Sequence, residues 1–465
     1  MTAAGDDRPT SGPHSPPGPG GGAGPAPWLG AGAGAGAGAG SGPGGAVGRT
    51  VDTVWRIESP RLIAGLIRIV HDMDVAEELA QDALVAALEQ WPRDGVPRNP
   101  GAWLMTTAKR RAIDRIRRNE TFARKLRLIG HELELDQDAE TFGGPKEPAD
   151  PAEIQDDLLR LVFTACHPVL SREARVALTL RLLGGLTTDE IARAFLVAEP
   201  TVAQRIVRAK RTLARERVPF EVPYGPALTE RLASVLEVVY LIFNEGYAAT
   251  AGDDWMRPAL CEDALRLARV LAGLLPQEPE VHGLAALLEI QASRAAARSG
   301  PVPVPLPAQD RSRWDMLLIR RGFAALARAD AAARARGEAP GPYALQAAIA
   351  AGHARAPTAE ETDWAAIAAL YDALAARAPS PVVELNRAVA VGMAHGPAAG
   401  LALVDALAAS ATLDAYHLLP SVRGDLLARL GRTAEARAEF ERAAGLTRNN
   451  AERAFLLERA AACGA

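Results

Sequence analysis

The segment Thr187–Leu213, TTDEIARAFLVAEPTVAQRIVRAKRTL, constrains this chain more than any other. It reads as two short helices around a tight break at Val197-Ala198-Glu199-Pro200. Pro200 sits where a first-turn proline is tolerated, so a helix starts there. In that helix Val202, Ile206, Ala209 and Leu213 recur at helical spacing as an apolar stripe. Gln204, Arg208, Arg211 and Arg215 fall two residues further on and point the opposite way. Glu199–Arg217 carries six Lys/Arg against two Glu. This is the layout of a helix-turn-helix, whose second helix enters the major groove while its apolar side packs on its partner. A solvated amphipathic helix with a basic outer face gives the same pattern, because short matches of this kind arise by chance.

A chain of 465 residues has room for roughly three domains. The net charge of −4 names no partner; its distribution does. Trp103–Lys125 holds eight Lys/Arg against Asp114 and Glu120, and His131–Asp157 then reverses to ten Asp/Glu against Lys146. Such a switch separates a polyanion-binding surface from a segment that stays off it or imitates it. The three cysteines, Cys166, Cys261 and Cys463, have no paired spacing, which argues against a disulfide framework or zinc knuckle and fits a reducing, cytoplasmic setting. No metal, cofactor or catalytic residue is expected. The neighbours Cys166 and His167 do not make a site by themselves. No run approaches the roughly eighteen apolar residues of a membrane span, and no signal peptide is indicated.

Residues 1–50 are mostly Gly, Ala, Pro and Ser, a composition that cannot offset ordering entropy, so a disordered tail is expected. Helical patterning covers 51–125, an acidic flexible linker 126–155, a second helical block 156–218, and an Ala/Leu-rich region 219–465, interrupted by the Pro301–Pro307 loop. Nothing reads as a sheet; the expected class is all-α. Near the C-terminus Gly424, Leu427, Ala436, Phe440 and Ala443 fall on the offsets of a tetratricopeptide unit. Ala388, Val391, Gly400, Val404 and Leu407 repeat them less well upstream. An ordinary alanine-rich bundle is the alternative.

In Asp74–Leu88 one side of a helix holds Ala76, Leu79, Ala80, Ala83, Leu84 and Ala87, leaving Glu77, Glu78, Gln81 and Asp82 for solvent or a partner. Trp91-Pro92, a polar loop from Arg93 to Pro100, Trp103-Leu104 and a basic helix to Arg118 follow. A Pro/Gly/Asn loop flanked by Trp and a cationic helix suits melted DNA: phosphates meet Lys/Arg and an unstacked base is held in the loop. Core packing is the other reading of Trp91 and Trp103, and the stronger one for at least one of them.

The order of these blocks resembles a known family. AEELAQDALVAAL, PGAWLMTTAKRRAIDRIRR and TTDEIARAFLVAEPTVAQRIVRAKRTL look like regions 2.2, 2.4 and 4.2 of extracytoplasmic-function sigma factors of the sigma-70 family. VYLIFNEGY, QDRSRWD, GPYALQAAIAAGHA and LYDALAARAPSPVVELNRAVAV are similar to the subgroup with a long tetratricopeptide-like extension. The resemblance implies two small sigma domains and a helical-repeat domain, with core RNA polymerase and promoter DNA as partners. Asp74, Glu77, Glu78, Gln81 and Asp82 would meet the polymerase clamp. Arg98, Asn99, Trp103, Lys109, Arg110, Arg111, Arg115 and Arg118 would serve the −10 element and the duplex just upstream. Thr201, Gln204, Arg205, Arg208 and Arg211 would read the −35 element. Arg110 stands where many relatives have Asn, and Leu196 where the inter-helix turn often has Gly.

The expected function is therefore promoter-specific transcription initiation, with the extension regulating in cis. Asn244, Glu245, Tyr247, Trp314, Trp364 and Asn386 are candidates for the extension's working surface, or else pack and cap helices. A conventional helix-turn-helix regulator with a repeat sensor domain is the rival, and it leaves the acidic helix and first basic block unexplained. No phosphate loop or nucleophile elbow supports an enzyme, and no membrane or small-molecule substrate is indicated.

Overall fold

The computed structural model describes residues 43–130, 151–298, 304–410 and 412–464. The expectations for the tail up to residue 42, the linker over 131–150 and the start of the proline loop lie outside them. What is described is all-α apart from one pair of two-residue strands.

Three helices open the fold: α1 (Pro43–Val70), α2 (Met73–Asp94) and α3 (Pro100–Gly130). Helix α1 reaches into the stretch expected to be unstructured up to residue 50, and α3 continues past Lys125. Asp72 caps α2 by accepting from the Val75 amide. Four shorter helices follow: α4 (Pro151–Ala165), α5 (Arg172–Leu182), α6 (Thr188–Phe195) and α7 (Glu199–Arg215).

The extension then runs from α8 (Pro226–Tyr247) and α9 (Pro258–Leu274) to α10 (Pro279–Ala292) and the short α11 (Ala295–Arg298). It continues through α12 (Met316–Ala335), α13 (Pro342–Arg355), α14 (Trp364–Arg377) and α15 (Pro381–Ala394). The last helices are α16 (Pro397–Ala409), α17 (Leu418–Arg429), α18 (Thr433–Leu446) and α19 (Asn450–Ala462). Six of these helices carry Pro in the first turn, where its missing N–H costs nothing.

The repeat offsets are realised as helix pairs. A Cβ on Gly424 of α17 would stand 2.9 Å from the Phe440 ring of α18, so glycine makes room for the aromatic. Ala436, Phe440 and Ala443 are fully covered. In the upstream pair a Cβ on Gly400 of α16 would lie 2.7 Å from the Ala388 carbonyl of α15. Backbone meets backbone there, and no side chain fits.

The expectation of no sheet needs one correction. Ala251-Gly252 (β1) pairs in parallel with Arg448-Asn449 (β2). The buried Asn449 side chain donates to the carbonyls of Ala249 and Asp254, at 3.2 and 3.3 Å. The two ends of the extension are thereby tied together. Two residues per strand carry no periodicity, so sequence patterning has nothing to detect there.

One apolar core, whose residues range from Val51 to Ala351, joins α1–α7 to α8, α9, α10, α12 and α13. Val218, Phe220 and Val222 pack against it, so the packing continues across the boundary expected at residue 218. The repeats beyond α13 have cores of their own.

Candidate nucleic-acid interface

Helices α6 and α7 form the expected helix-turn-helix. Thr187 and Glu190 close a capping box at the start of α6, each side chain receiving the other's backbone N–H. Leu196 ends α6 with φ 50°, the left-handed conformation a glycine adopts freely. Its side chain is held from outside: a Cβ on Gly252 would stand 2.6 Å from Leu196 Cδ1. The turn thus touches β1 of the extension through Leu196, which is otherwise more than half exposed.

The stripe Val202, Ile206, Ala209 and Leu213 is buried against the rest of the fold. Thr201, Gln204, Arg208 and Arg211 are exposed on the opposite face of α7, with Arg205 partly so. Among the described residues no carboxylate pairs with Arg205, Arg208 or Arg211. That face is a cationic surface without ion-pair partners, the nearest carboxylate influence being Glu173 on Arg205.

The acidic face of α2 is in the opposite state. Glu77, read from the sequence as open to solvent or a partner, is buried. Its Oε1 accepts from Arg181 of α5, and its Oε2 from Lys210 of α7 at 2.7 Å. Lys210 also holds Asp74 at 2.6 Å. Burial works to lower the Lys210 pKa, but Glu77 and Asp74 outweigh it and hold the ammonium above its usual value. Gln81 donates to Glu77, Glu78 pairs with Arg115 at 2.6 Å and Asp82 with Arg111 at 3.2 Å. A further pair, Arg56–Glu190 at 2.9 Å, bridges α1 to the capping box of α6. Every candidate clamp residue is therefore engaged within the chain.

The −10 candidates divide. Trp91 is core, as one of the two readings had it, and it meets the partly exposed Trp103 edge-on at 5.5 Å. Asn99 is an N-cap of α3, accepting from the Ala102 amide. Arg111 and Arg115 are held by the α2 carboxylates. Arg98, Arg110 and Arg118 are exposed and Lys109 is half-buried. Cys166 is buried beside Thr179 with its thiol pushed up to about 11 by burial. His167 is lowered to about 4, first by burial and then by Arg231. Neither is poised as a nucleophile or base, and no metal-binding group occurs among the described residues.

A cavity of about 110 Å³ lies where α1, α4, α5, α8 and α9 meet, lined by Ile57, Pro60, Leu158, Val162, Val239 and Leu271 among others. The junction of the three regions is underfilled.

The family models decide the identity. The model for sigma-70 region 2 matches residues 55–121, and that for sigma-70 region 4 matches 160–213. This chain belongs to the sigma-70 family. It is an extracytoplasmic-function RNA polymerase sigma factor with a C-terminal extension, and residues 231–330 of that extension match a family of unknown function, DUF6596. An uncharacterised protein of Rhizobium meliloti, R00370, is 45% identical over 85% of this chain and 92% of its own length. The sigma factor SigK of Mycobacterium bovis is 28% identical over 33% of this chain and 78% of its own. The crystal structure of yeast Tom70 aligns at 12% identity with a TM-score of 0.29, over 90% of this chain and 86% of its own.

Sequence reasoning on this sigma factor missed Arg181, Lys210 and Glu190 as partners of the first domain, where they meet Glu77, Asp74 and Arg56. Their pairings span 104, 133 and 134 residues, beyond any local pattern. The one local signal was weak: Lys210 borders the apolar stripe of α7, as Arg205 does on its other edge. Of the surface candidates in the extension, Tyr247, Trp314 and Asn386 are buried, and Glu245 pairs with Arg257. No helix among the described residues is long and apolar enough to cross a membrane.

Proposed function

We propose that this sigma factor directs core RNA polymerase to promoters and is held shut in cis until polymerase engages it. Helix α7 reads the −35 element through Thr201, Gln204, Arg205, Arg208 and Arg211. Arg98, Asn99 and Trp103 serve the −10 element, with Lys109, Arg110, Arg111, Arg115 and Arg118 on the duplex upstream. Asp74, Glu77, Glu78, Gln81 and Asp82 dock on the polymerase clamp. Two weak DNA modules on one polymerase gain affinity from effective concentration, and capture of an unpaired base offsets a few kcal/mol of unstacking.

One observation carries the regulatory half: Glu77 is buried under Arg181 and Lys210 of the −35 module. A clamp contact through Glu77 needs those pairs to part. Removing either cation alone leaves a covered carboxylate, so the exchange is favoured only when polymerase supplies replacement cations. The extension steadies the closed form by packing α8 and α9 on α4 and β1 on Leu196. Run-off transcription with core polymerase tests the reading, comparing wild type, R208A/R211A and R181E. Loss in the double variant and gain in R181E support it. Unchanged output from R208A/R211A removes the recognition-helix assignment, and unchanged output from R181E removes the interlock.

A further inference from the structure

Two distinctive strings of the extension, QDRSRWD and GPYALQAAIAAGHA, meet around one indole. Trp314 of QDRSRWD is buried, with the Arg294 guanidinium 5.2 Å from its ring centre and that of Arg311 4.9 Å away. Arg294 follows α10 and is fully covered, its Nη2 donating to the Ala350 carbonyl of α13 at 3.3 Å. Its Nε and Nη1 have no partner, nor does Trp314 Nε1. Arg311 is anchored to the carbonyls of His353 and Ala356 and to the Thr362 hydroxyl. His353, buried edge-on against Trp364, is lowered to about 3 by burial and then by Arg294 and Arg311. It is neutral and supplies no countercharge.

Among the described residues no carboxylate pairs with Arg294 or Arg311, and the Glu360 and Glu361 charges reach only Arg311. Cation–π contact with Trp314 offsets part of the cost of burying the guanidinium. It leaves the two N–H groups open, and burying an unpaired charge is among the costliest placements in a protein. The open groups at Arg294 and Trp314 are all donors, so what completes them must accept. Guanidinium forks match the paired oxygens of carboxylate and phosphate.

We propose that the Arg294–Trp314–Arg311 cluster binds a small oxyanion, a carboxylate or phosphate group, which supplies the missing countercharge inside the extension. The extension is then a receptor for a small anionic compound, whatever its effect on transcription.

Thermal unfolding of the full chain tests this, titrated with acetate, with inorganic phosphate, and with chloride at matched ionic strength. An oxyanion should raise the wild-type midpoint beyond chloride, and the arm that does so separates carboxylate from phosphate. R294Q should weaken the apparent affinity by about tenfold or more, the loss expected for hydrogen bonds to a charged group. R311K, which keeps the charge and loses the fork, carries the same test if R294Q does not fold. Equal effects of all three salts on wild type overturn the proposal, as does an undiminished oxyanion response in the variant that folds, with water then completing the donors.

Discussion

The seam between the two sigma modules and the stacked helices of the extension both hold apolar core, but differ in what lies at their close contacts. At the seam, α2 meets α5 and α7 through Glu77, Arg181, Lys210 and Asp74, and a cavity remains beside α1 and α4. In the extension, Gly400 and Gly424 bring helices to contact distance, and Phe440 fills the space that Gly424 leaves. Close packing is lost all at once when disturbed, because dispersion falls off within an ångström. Partly covered ion pairs are exchangeable, since another protein's charges can replace them. On the proposed reading, the seam opens while the close-packed helix pairs of the extension keep their shape.

Substitutions in the two regions should have effects of different size. The largest effect is expected from Phe440→Ala in α18, at about 3–5 kcal/mol, read as lost stability of the extension in denaturant unfolding. A cost under about 1 kcal/mol would mean the repeats are not close-packed as described. Next comes Arg181→Glu at the seam, which leaves Glu77 beside a like charge. Both side chains are largely covered, at 20% and 11% exposure, so about 2–4 kcal/mol of interlock should go. Small-angle scattering should then show a larger radius of gyration; an unchanged radius contradicts the seam's role.

The same seam has a defined alkaline limit. The Lys210 pKa is raised above the ordinary 10.5 by Glu77 and Asp74 acting against burial. Its contribution is therefore complete below about 10.5 and is lost as pH climbs through the higher folded value. Opening between about pH 7 and 9, seen by scattering, would mean that Lys210 is not the cation that matters. A smaller loss, about 1–2 kcal/mol, should follow Asn449→Ala, which removes both side-chain bonds between the ends of the extension together with the N-cap of α19. Unfolding that is unchanged would show the β1–β2 tie to be incidental. The smallest effect belongs to Leu196→Gly. Relief of the left-handed strain and loss of the contact with Gly252 oppose each other, for a net change under about 1 kcal/mol.

The helix-turn-helix was legible because its information is local. Val202, Ile206, Ala209 and Leu213 recur at 3.6-residue spacing, and the polar face follows from the same rotation. The Gly424–Phe440 pairing was legible for a related reason, as a small residue and a large one at a fixed offset across one turn. The acidic face of α2 was legible as a face, but not in its occupancy.

Sequence alone, then, determined the helices, their apolar stripes, the repeat pairing and the cationic outer surface of α7, since each depends on residues within a few turns of one another. Only the tertiary structure decided that Glu77 lies under Arg181 and Lys210, that Leu196 leans on Gly252, and that Arg294 and Arg311 flank Trp314 without a carboxylate between them. Those outcomes depend on side chains tens to hundreds of residues apart, brought together by the burial of apolar faces that carry no label for their partners.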